Sequence, residues 1–116
     1  MQNQTIATLA SELGPESVVE LVDAYLADTP CRLQEIADLV GTHDQAALRR
    51  AAHSLKGSSS IFGVDEMEKA ALELEIAASN SDRTNQLALY GRLVELFPKV
   101  QANLQQAVAE LHLIAG

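Results

Sequence analysis

The sequence predicts an all-α helical bundle formed by a single domain over residues 1–116. Two features of the composition favour helices over sheets: 47% of the 116 residues are apolar, but only 3% are aromatic and none is Trp. Chains of this kind, rich in Ala and Leu, suit close-packed helices better than strands. The third observation is periodicity, because apolar residues recur every three or four positions through most of the chain. A chain of this length can bury one hydrophobic core.

The N-terminal half of the chain is expected to form one short helix and two longer ones. Residues 3–11 predict the short helix, and Pro15 fits the first turn of the next one, which should run to about Asp28. The pair Thr29-Pro30 is expected to open a third helix that ends at Gly41. The apolar residues that the two longer helices should bury are Val18, Val19, Leu21, Val22, Tyr25, Leu26, Leu33, Ile36, Leu39 and Val40.

Two further helices are expected in the middle of the chain. One of them carries His53 and is closed by Gly63. Asp65, followed by Glu68 three residues later, resembles a capping signal at the start of the next helix. The apolar residues that this next helix should bury are Met67, Ala71, Leu74 and Ala78.

The last helix is expected to run from about Arg83 almost to the end of the chain, after a turn at Asn80-Ser81-Asp82. Pro98 removes one amide donor, which predicts a kink there or two abutting helices. Apolar residues along this segment are spaced by three and four, as is typical of a helix in a bundle. These residues are Tyr90, Leu93, Phe97, Val100, Leu104, Ala107, Leu111 and Ile114.

His53 is expected to lie on the solvent-facing side of its helix. With about 100° per residue and Leu55 at the centre of the buried face, His53 falls about 160° away. Gly57 lies one turn further on, and a mid-helix glycine costs about 1 kcal/mol relative to alanine. We expect that the absence of a side chain at Gly57 leaves room for the surface of another protein to reach the imidazole ring. The outer face also carries Ala46, Arg50 and Ser60, while Arg49 and Lys56 lie along the flank nearer the core.

The charge distribution points to an acidic or phosphorylated partner. The net charge of −8 argues against nucleic acid. The segment 44–62 nevertheless has one acid and three bases, so it carries +2 while the remainder carries −10. A positive field around His53 would favour an incoming phosphoryl group and stabilise charge that builds up during its transfer.

No segment of the sequence predicts a membrane span or a secretory leader. No run approaches the roughly 18 apolar residues of a membrane span, and residues 1–4 lack the basic and apolar regions of a signal peptide. Cys31 is the only cysteine, so no internal disulfide is possible, as expected in a reducing compartment. We therefore expect a cytoplasmic protein, and the Met1 start and compact length favour a free-standing one.

The string His53-Ser54-Leu55-Lys56-Gly57-Ser58-Ser59, followed by Gly63 and a helix with Leu72-Glu73-Leu74-Glu75, resembles the histidine-containing phosphotransfer (HPt) domain of multistep two-component phosphorelays. The motif is short, but helix order and length are similar to that family across nearly all of the chain. The resemblance implies an antiparallel up-down four-helix bundle with a short extra N-terminal helix. It also implies that His53 is phosphorylated and relays a phosphoryl group between receiver-domain aspartates.

The resemblance implies roles for the residues around His53. Lys56 should approach the phosphoryl group, and Gly57 should leave space for a receiver domain. Glu75 resembles an acceptor that the family often places beside the ring, which would leave the far nitrogen free. The implied partner is the receiver domain of a response regulator or of a hybrid sensor histidine kinase. This chain is expected to be a monomer that binds no cofactor and has no catalytic turnover of its own. Mg²⁺ is expected only in the receiver domain. The partner-binding residues are expected to be Ala46, Arg49, Arg50, Ser60 and Glu75.

Three other functions compete with a relay. A metal site is disfavoured because His43, His53 and His112 are too scattered along the chain. A phosphate hydrolase would need a water-activating carboxylate or amide, and the outer face near His53 offers only Arg, Ala, Gly and Ser. A helical adaptor that binds a signalling partner without phosphorylation remains the alternative, since many bundles do only that. The combination of His53 with Lys56 and Gly57 argues against an adaptor. A His53→Gln variant separates the relay from the adaptor, because only the relay would lose its function.

Overall fold

The structure is a computed structural model, and it describes the backbone of residues 3–115 and the side chains of residues 5–113. Within this range the chain forms five helices and no strand. Met1, Gln2 and the side chain of Ile114 lie outside the described residues. The helices are α1 (Asn3–Leu13), α2 (Pro15–Val40), α3 (Gln45–Ile61), α4 (Asp65–Ser79) and α5 (Arg83–Ala115).

The four longer helices close into a ring, which confirms the predicted helical bundle. Each of α2, α3 and α4 packs against the next helix, and α5 returns to pack against α2. The connections are only three or four residues long, over 41–44, 62–64 and 80–82. Such short connections between helices that pack together make neighbouring helices antiparallel. The short helix α1 packs against α2 and α5.

The helices differ greatly in length, and this difference shapes the molecule. At about 1.5 Å per residue, the 33 residues of α5 span about 50 Å, which is the longest dimension of the protein. Helices α3 and α4 have 17 and 15 residues, so they cover only part of α2 and α5. Helix α1 covers another part, and it approaches the α3–α4 connection at Gly63. That glycine has a φ of +66°, and a Cβ there would lie 2.7 Å from the Thr5 hydroxyl oxygen.

The seam between α3 and α4 is built largely from small side chains. Alanines bury their methyl groups on both helices, which lets the two backbones approach closely. Larger side chains on either side of this seam, among them Leu48, Leu55, Met67 and Leu74, are fully buried. Polar side chains that flank the seam on the solvent side can therefore reach each other from one helix to the next. The buried alanines of the two helices are Ala51, Ala52, Ala70, Ala71, Ala77 and Ala78, of which Ala51 also lines a depression next to α2.

A buried contact between α2 and α3 sets how far one helix is displaced along the other. The hydroxyl groups of Tyr25 and Ser59 lie 2.8 Å apart, and the ring centroids of Tyr25 and Phe62 lie 5.2 Å apart. Burial raises the pKa of the Tyr25 phenol, and its hydrogen bonds with Ser59 and Thr29 offset part of that rise. The last turn of α3 therefore lies beside the middle of α2.

The predicted boundary at Thr29-Pro30 is wrong, because α2 runs without a break from Pro15 to Val40. A proline inside a helix costs about 3 kcal/mol, but the buried face continues past it. Tyr25, Leu33 and Ile36 are all buried on one side of the helix, and each such side chain contributes about 1.5–3 kcal/mol. The Thr29 hydroxyl donates to the Tyr25 carbonyl, 2.6 Å away. Packing on both sides of the exposed proline thus outweighs the lost hydrogen bond.

Other local predictions also need correction. Helix α5 is continuous through Pro98, so two abutting helices are wrong, while a kink there stays a prediction. Helix α4 begins at Asp65 after Val64, without a side-chain cap, so the predicted capping signal is wrong. The acidic residues of its first turn instead lie near the positive end of the helix dipole. Leu21 was expected in the core, but 42% of its surface is exposed. No described helix is both long and apolar enough to cross a membrane.

Candidate functional site

The structure places His53 on the outer face of α3, as its position on the helical wheel predicts. The helix begins after Asp44, whose carboxylate accepts a hydrogen bond from the Ala47 amide at 3.0 Å. Leu48 and Leu55 are fully buried on the opposite face. The His53 side chain keeps 64% of its surface exposed. An incoming group from solution therefore has direct access to the imidazole.

Glu75 on α4 contacts both His53 and Lys56 on α3. Its Oε2 lies 3.1 Å from Nδ1 of His53, and its Oε1 accepts a hydrogen bond from Nζ of Lys56 at 3.0 Å. Only 18% of the Glu75 side chain is exposed. An ionised carboxylate can only accept hydrogen bonds, so Nδ1 must carry the proton. The other ring nitrogen, Nε2, then keeps a free lone pair in the neutral imidazole.

The electrostatic environment keeps the Glu75 carboxylate ionised. Partial burial by itself raises its pKa. The hydrogen bonds and positive charges of Lys56 and His53 more than offset this effect, and they hold the pKa of Glu75 below its ordinary value. Near neutral pH the carboxylate therefore remains a charged acceptor for Nδ1. Lys56 acts on the imidazole through this shared partner.

A shallow depression lies beside the imidazole, where His53, Ser54 and Glu75 line it together with two arginines. Both Arg49 and Arg50 line it and are exposed. Among the described side chains, neither arginine forms an ion pair within 4.0 Å. A second depression adjoins the first between α2 and α3, and Arg50 and Ser54 line both. The second depression is lined by Arg32, Glu35, Leu39, Ala47, Arg50, Ala51 and Ser54.

The small residues predicted at the docking face are exposed next to His53. Ala46, Gly57 and Ser60 all lie on the outer face of α3. A Cβ built on Gly57 would meet no atom within 4 Å. Nothing inside the protein therefore requires a glycine at this position. The space that the missing side chain leaves open is on the outside, where a partner would approach.

Some features of the site could not be predicted from the sequence. Lys56 was expected beside a phosphoryl group, but its Nζ is bound to Glu75, on the Nδ1 side of the ring. The spacing of residues on α3 places no acid near His53, and Glu75, which only the family resemblance suggested as an acceptor, comes from the neighbouring helix α4. Ser54 follows His53 in the chain but lies about 100° from it around the helix, towards α2. Arg32 and Glu35 carried no signal in the sequence, because their position depends on how α2 packs.

The other two histidines lie away from His53. Nδ1 of His43 is 2.6 Å from a guanidinium nitrogen of Arg83, near the start of α5. His112 lines a depression near the other end of α5, together with Leu111 and residues of α2. Among the side chains that the structure describes, no three His, Cys, Asp or Glu residues are grouped closely enough to hold a metal ion.

Comparisons with known proteins agree with this architecture. The phosphorelay protein LuxU of Vibrio harveyi is 29% identical over 91 residues, which cover 78% of this chain and 76% of that protein. LuxU of Vibrio vulnificus strain YJ016 is 27% identical over 82 residues, covering 71% of each chain. Among solved structures, a histidine-containing phosphotransfer protein from rice has a TM-score of 0.80 at 20% identity, covering 97% of this chain and 81% of that one. The maize protein ZmHP2 has a TM-score of 0.81 at 21% identity, covering 97% and 83%.

The two plant structures establish the likeness of fold, and the sequence match establishes the family. The family model of the Hpt domain matches residues 20–112, which include α3, α4 and nearly all of α2 and α5. The chain therefore belongs to the Hpt domain family and is a histidine phosphotransfer protein of a phosphorelay.

Proposed function

We propose that Nε2 of His53 carries the phosphoryl group and passes it between aspartates of receiver domains. The observation that supports this most directly is the 3.1 Å contact between Nδ1 of His53 and the Glu75 carboxylate. It puts the proton on the inner nitrogen and leaves the exposed nitrogen as the nucleophile. The carrier itself has no turnover, since each phosphoryl group that it receives must leave to a second protein.

The chemistry needs no group beyond the imidazole and the incoming phosphoryl donor. The lone pair of Nε2 attacks the phosphorus of an aspartyl phosphate, and a P–N bond forms. The bond from phosphorus to the carboxylate oxygen breaks, and its electron pair leaves with the carboxylate. Nδ1 keeps its proton, so the ring becomes cationic while the phosphoryl oxygens keep their charge. The reverse steps deliver the group to a second aspartate.

Glu75 can stabilise the positive charge that develops on the ring during this step. Its carboxylate lies at hydrogen-bond distance from the protonated nitrogen, in the same relation that the aspartate has to the histidine of a serine protease triad. Lys56 holds the second carboxylate oxygen at 3.0 Å, which restricts the orientation of the carboxylate. Glu75 and Lys56 are thus positioning residues in this proposal, because they act on the reacting nitrogen through the ring.

The partner that fits this face is a receiver domain, in a response regulator or in a hybrid sensor kinase. Its phosphorylated aspartate lies in an acidic pocket with Mg²⁺, and this chain adds no cofactor. Charge complementarity supports the pairing, because no described acid forms an ion pair with Arg49 or Arg50 beside His53, in a protein of net charge −8. Ala46, Gly57 and Ser60 give a low surface over which a receiver can approach a monomeric carrier.

Exposed apolar residues extend the proposed docking face along the α2–α3 groove. Leu21 and Ile61 are 42% and 51% exposed. Leu21 lies one turn before Tyr25, and Ile61 immediately precedes Phe62, which contacts Tyr25. The two apolar side chains therefore lie at a similar level on neighbouring helices. Exposed apolar side chains of this kind contribute to the affinity of an interface when docking removes them from water.

Transfer from a phosphorylated receiver tests the proposal. Receiver domains labelled on aspartate are mixed with the wild-type protein and with His53→Gln in the presence of Mg²⁺. The expected result is an acid-labile, base-stable label on the wild type alone. His112→Gln is the matched control, because it removes an exposed histidine at a distant site. An unlabelled wild type that still binds receivers through the same face would support the adaptor function instead.

A further inference from the structure

The two nitrogens of the His53 ring face different flanks of α3. Nδ1 points to Glu75 on α4, and the two nitrogens of an imidazole lie on divergent edges of the ring. Nε2 therefore points away from α4. A phosphoryl group on Nε2 would extend on that side, into solvent and towards the flank of α3 that borders α2.

Lys56 lies on the other flank. Its Nζ donates to Oε1 of Glu75 at 3.0 Å, and 27% of its side chain is exposed. It does not line the depression at the ring. To reach a phosphoryl group on Nε2, Lys56 would have to leave a charge-assisted hydrogen bond and cross the ring. It would also release the carboxylate that holds Nδ1.

Arg50 lies on the flank that Nε2 faces. It precedes His53 by three residues, which makes the two side chains neighbours on a helix surface. It lines both the depression at the ring and the depression between α2 and α3. Glu35 lines the second depression too, but no described acid lies within 4.0 Å of the Arg50 guanidinium. The guanidinium is thus available to an added anion.

We infer that Arg50, and not Lys56, is the cation that binds the phosphoryl group on Nε2 of His53. This inference rests on the proposed function. In phosphoryl transfer, charge is spread over the three equatorial oxygens of the phosphoryl group. A planar guanidinium can donate two hydrogen bonds to such oxygens. Arg50 therefore stabilises the charge on the phosphoryl group, while Lys56 keeps Glu75 ionised and oriented at the opposite edge of the ring.

Two measurements on matched variants test this division of roles. The first is the transfer rate from a phosphorylated receiver at several pH values, for Arg50→Gln, Arg50→Lys, Arg49→Gln, Lys56→Gln and the distant Arg92→Gln. The ³¹P NMR titration of the phosphorylated protein then gives the pKa of the phosphoryl group, which a bound cation lowers. Arg50→Gln should slow transfer by about tenfold, as expected for one charge-assisted contact at an exposed site. It should also raise the phosphoryl pKa.

The other variants give the contrast. Arg50→Lys should transfer the phosphoryl group faster than Arg50→Gln, although more slowly than the wild type. Arg49→Gln should slow transfer less than Arg50→Gln does. Lys56→Gln should leave the phosphoryl pKa unchanged and should instead move the acid limb of the rate profile to higher pH, because Glu75 loses a stabilising charge. Arg92→Gln on α5, a helix that does not pack against α3, should match the wild type.

Two outcomes overturn the inference alone, and a third overturns the proposed function with it. If Arg50→Gln matches Arg92→Gln in both measurements, or if Lys56→Gln gives the larger change in phosphoryl pKa, Arg50 is not the phosphoryl ligand. In both cases the wild type is still labelled on His53, so the proposed function stands. If the wild type takes no label at all, both proposals fail.

Discussion

At the residue scale, the reactivity proposed for His53 depends on a carboxylate from another helix. Glu75 divides its two oxygens between Nδ1 of His53 and Nζ of Lys56. An acceptor that is both charged and oriented determines which ring nitrogen is protonated. The same carboxylate can balance the positive charge of the phosphorylated ring. Both effects depend on the charge of Glu75 as well as on its position.

Replacing Glu75 by Gln should therefore slow phosphoryl transfer while the bundle stays folded. The amide keeps the shape but loses the charge, and its NH2 group can hydrogen-bond the wrong tautomer, so we expect a loss of about tenfold or more. The transfer rate from a labelled receiver measures this. Glu73→Gln, a partly buried acid on the same helix, is the matched control. Equal rates in the two variants would contradict the role of Glu75.

The lowered pKa of Glu75 predicts how protein stability depends on pH. A carboxyl group whose pKa is lower in the folded than in the unfolded state stabilises the fold above its unfolded pKa. This contribution is lost as the pH falls from the ordinary value of 4.5 through the folded value. Urea unfolding at several pH values should show Glu75→Gln less stable than wild type near pH 7, with the difference shrinking below pH 4.5. A difference that grew in acid would have the wrong sign.

At the element scale, α3 combines a packed inner face with an outer face that has mostly small side chains around His53. The inner face buries Leu48 and Leu55 completely, and Gly57 exposes an open position one turn from His53. Because no described contact requires this glycine, we propose that its cost to the helix reflects the need for a partner to approach from outside. Helix stability and partner access are therefore opposed at this position.

Gly57→Gln should stabilise the isolated protein and impair its docking. Replacing a helical glycine with glutamine is expected to raise the free energy of unfolding by about 0.5–1 kcal/mol. The longer side chain should block the receiver and lower the transfer rate. Gly91→Gln on α5 is the matched control, since a Cβ there also meets no atom within 4 Å, and it should stabilise the protein without slowing transfer. Unchanged transfer in Gly57→Gln would disprove the steric explanation.

At the scale of the whole molecule, charge and packing separate the reacting face from the rest of the bundle. The protein carries −8 overall, yet the segment 44–62 that forms α3 and its ends carries +2. Helices α3 and α5 are on opposite sides of the ring of four. Helix α1 joins this arrangement through the close approach of Thr5 to Gly63. Helix α1 therefore packs against the connection between α3 and α4, the two helices that carry His53 and Glu75.

Gly63→Ala should destabilise the whole fold. The added Cβ would occupy a left-handed backbone conformation and would lie 2.7 Å from the Thr5 hydroxyl oxygen, so we expect a loss of about 1–2 kcal/mol or more. Thermal and urea unfolding measure the change. Gly41→Ala is the control, because its φ is −86° and a Cβ there has open space. If both variants lost equal stability, the Thr5 contact would have no special role.

The sequence by itself determined that the protein is helical, that His53 faces solvent and that Gly57 lies open beside it. These properties follow from the spacing of residues within one helix, where each position fixes the direction of its side chain. The helical wheel also placed Arg50 on the outer face. It could not show which ring nitrogen of His53 Arg50 lies closer to. Resemblance to a family suggested Glu75 as an acceptor, which spacing within α3 could not do.

Only the tertiary structure decided which neighbouring helix each flank of α3 meets, and at what level. It brought Glu75 to Nδ1, bound Lys56 to Glu75, and set Arg50 in the groove with α2. It also carried α2 through Pro30, because buried residues on both sides of the proline pack against the same core. The physical reason is common to these cases: periodicity fixes directions within a helix, whereas contacts between helices depend on the packing of the whole core.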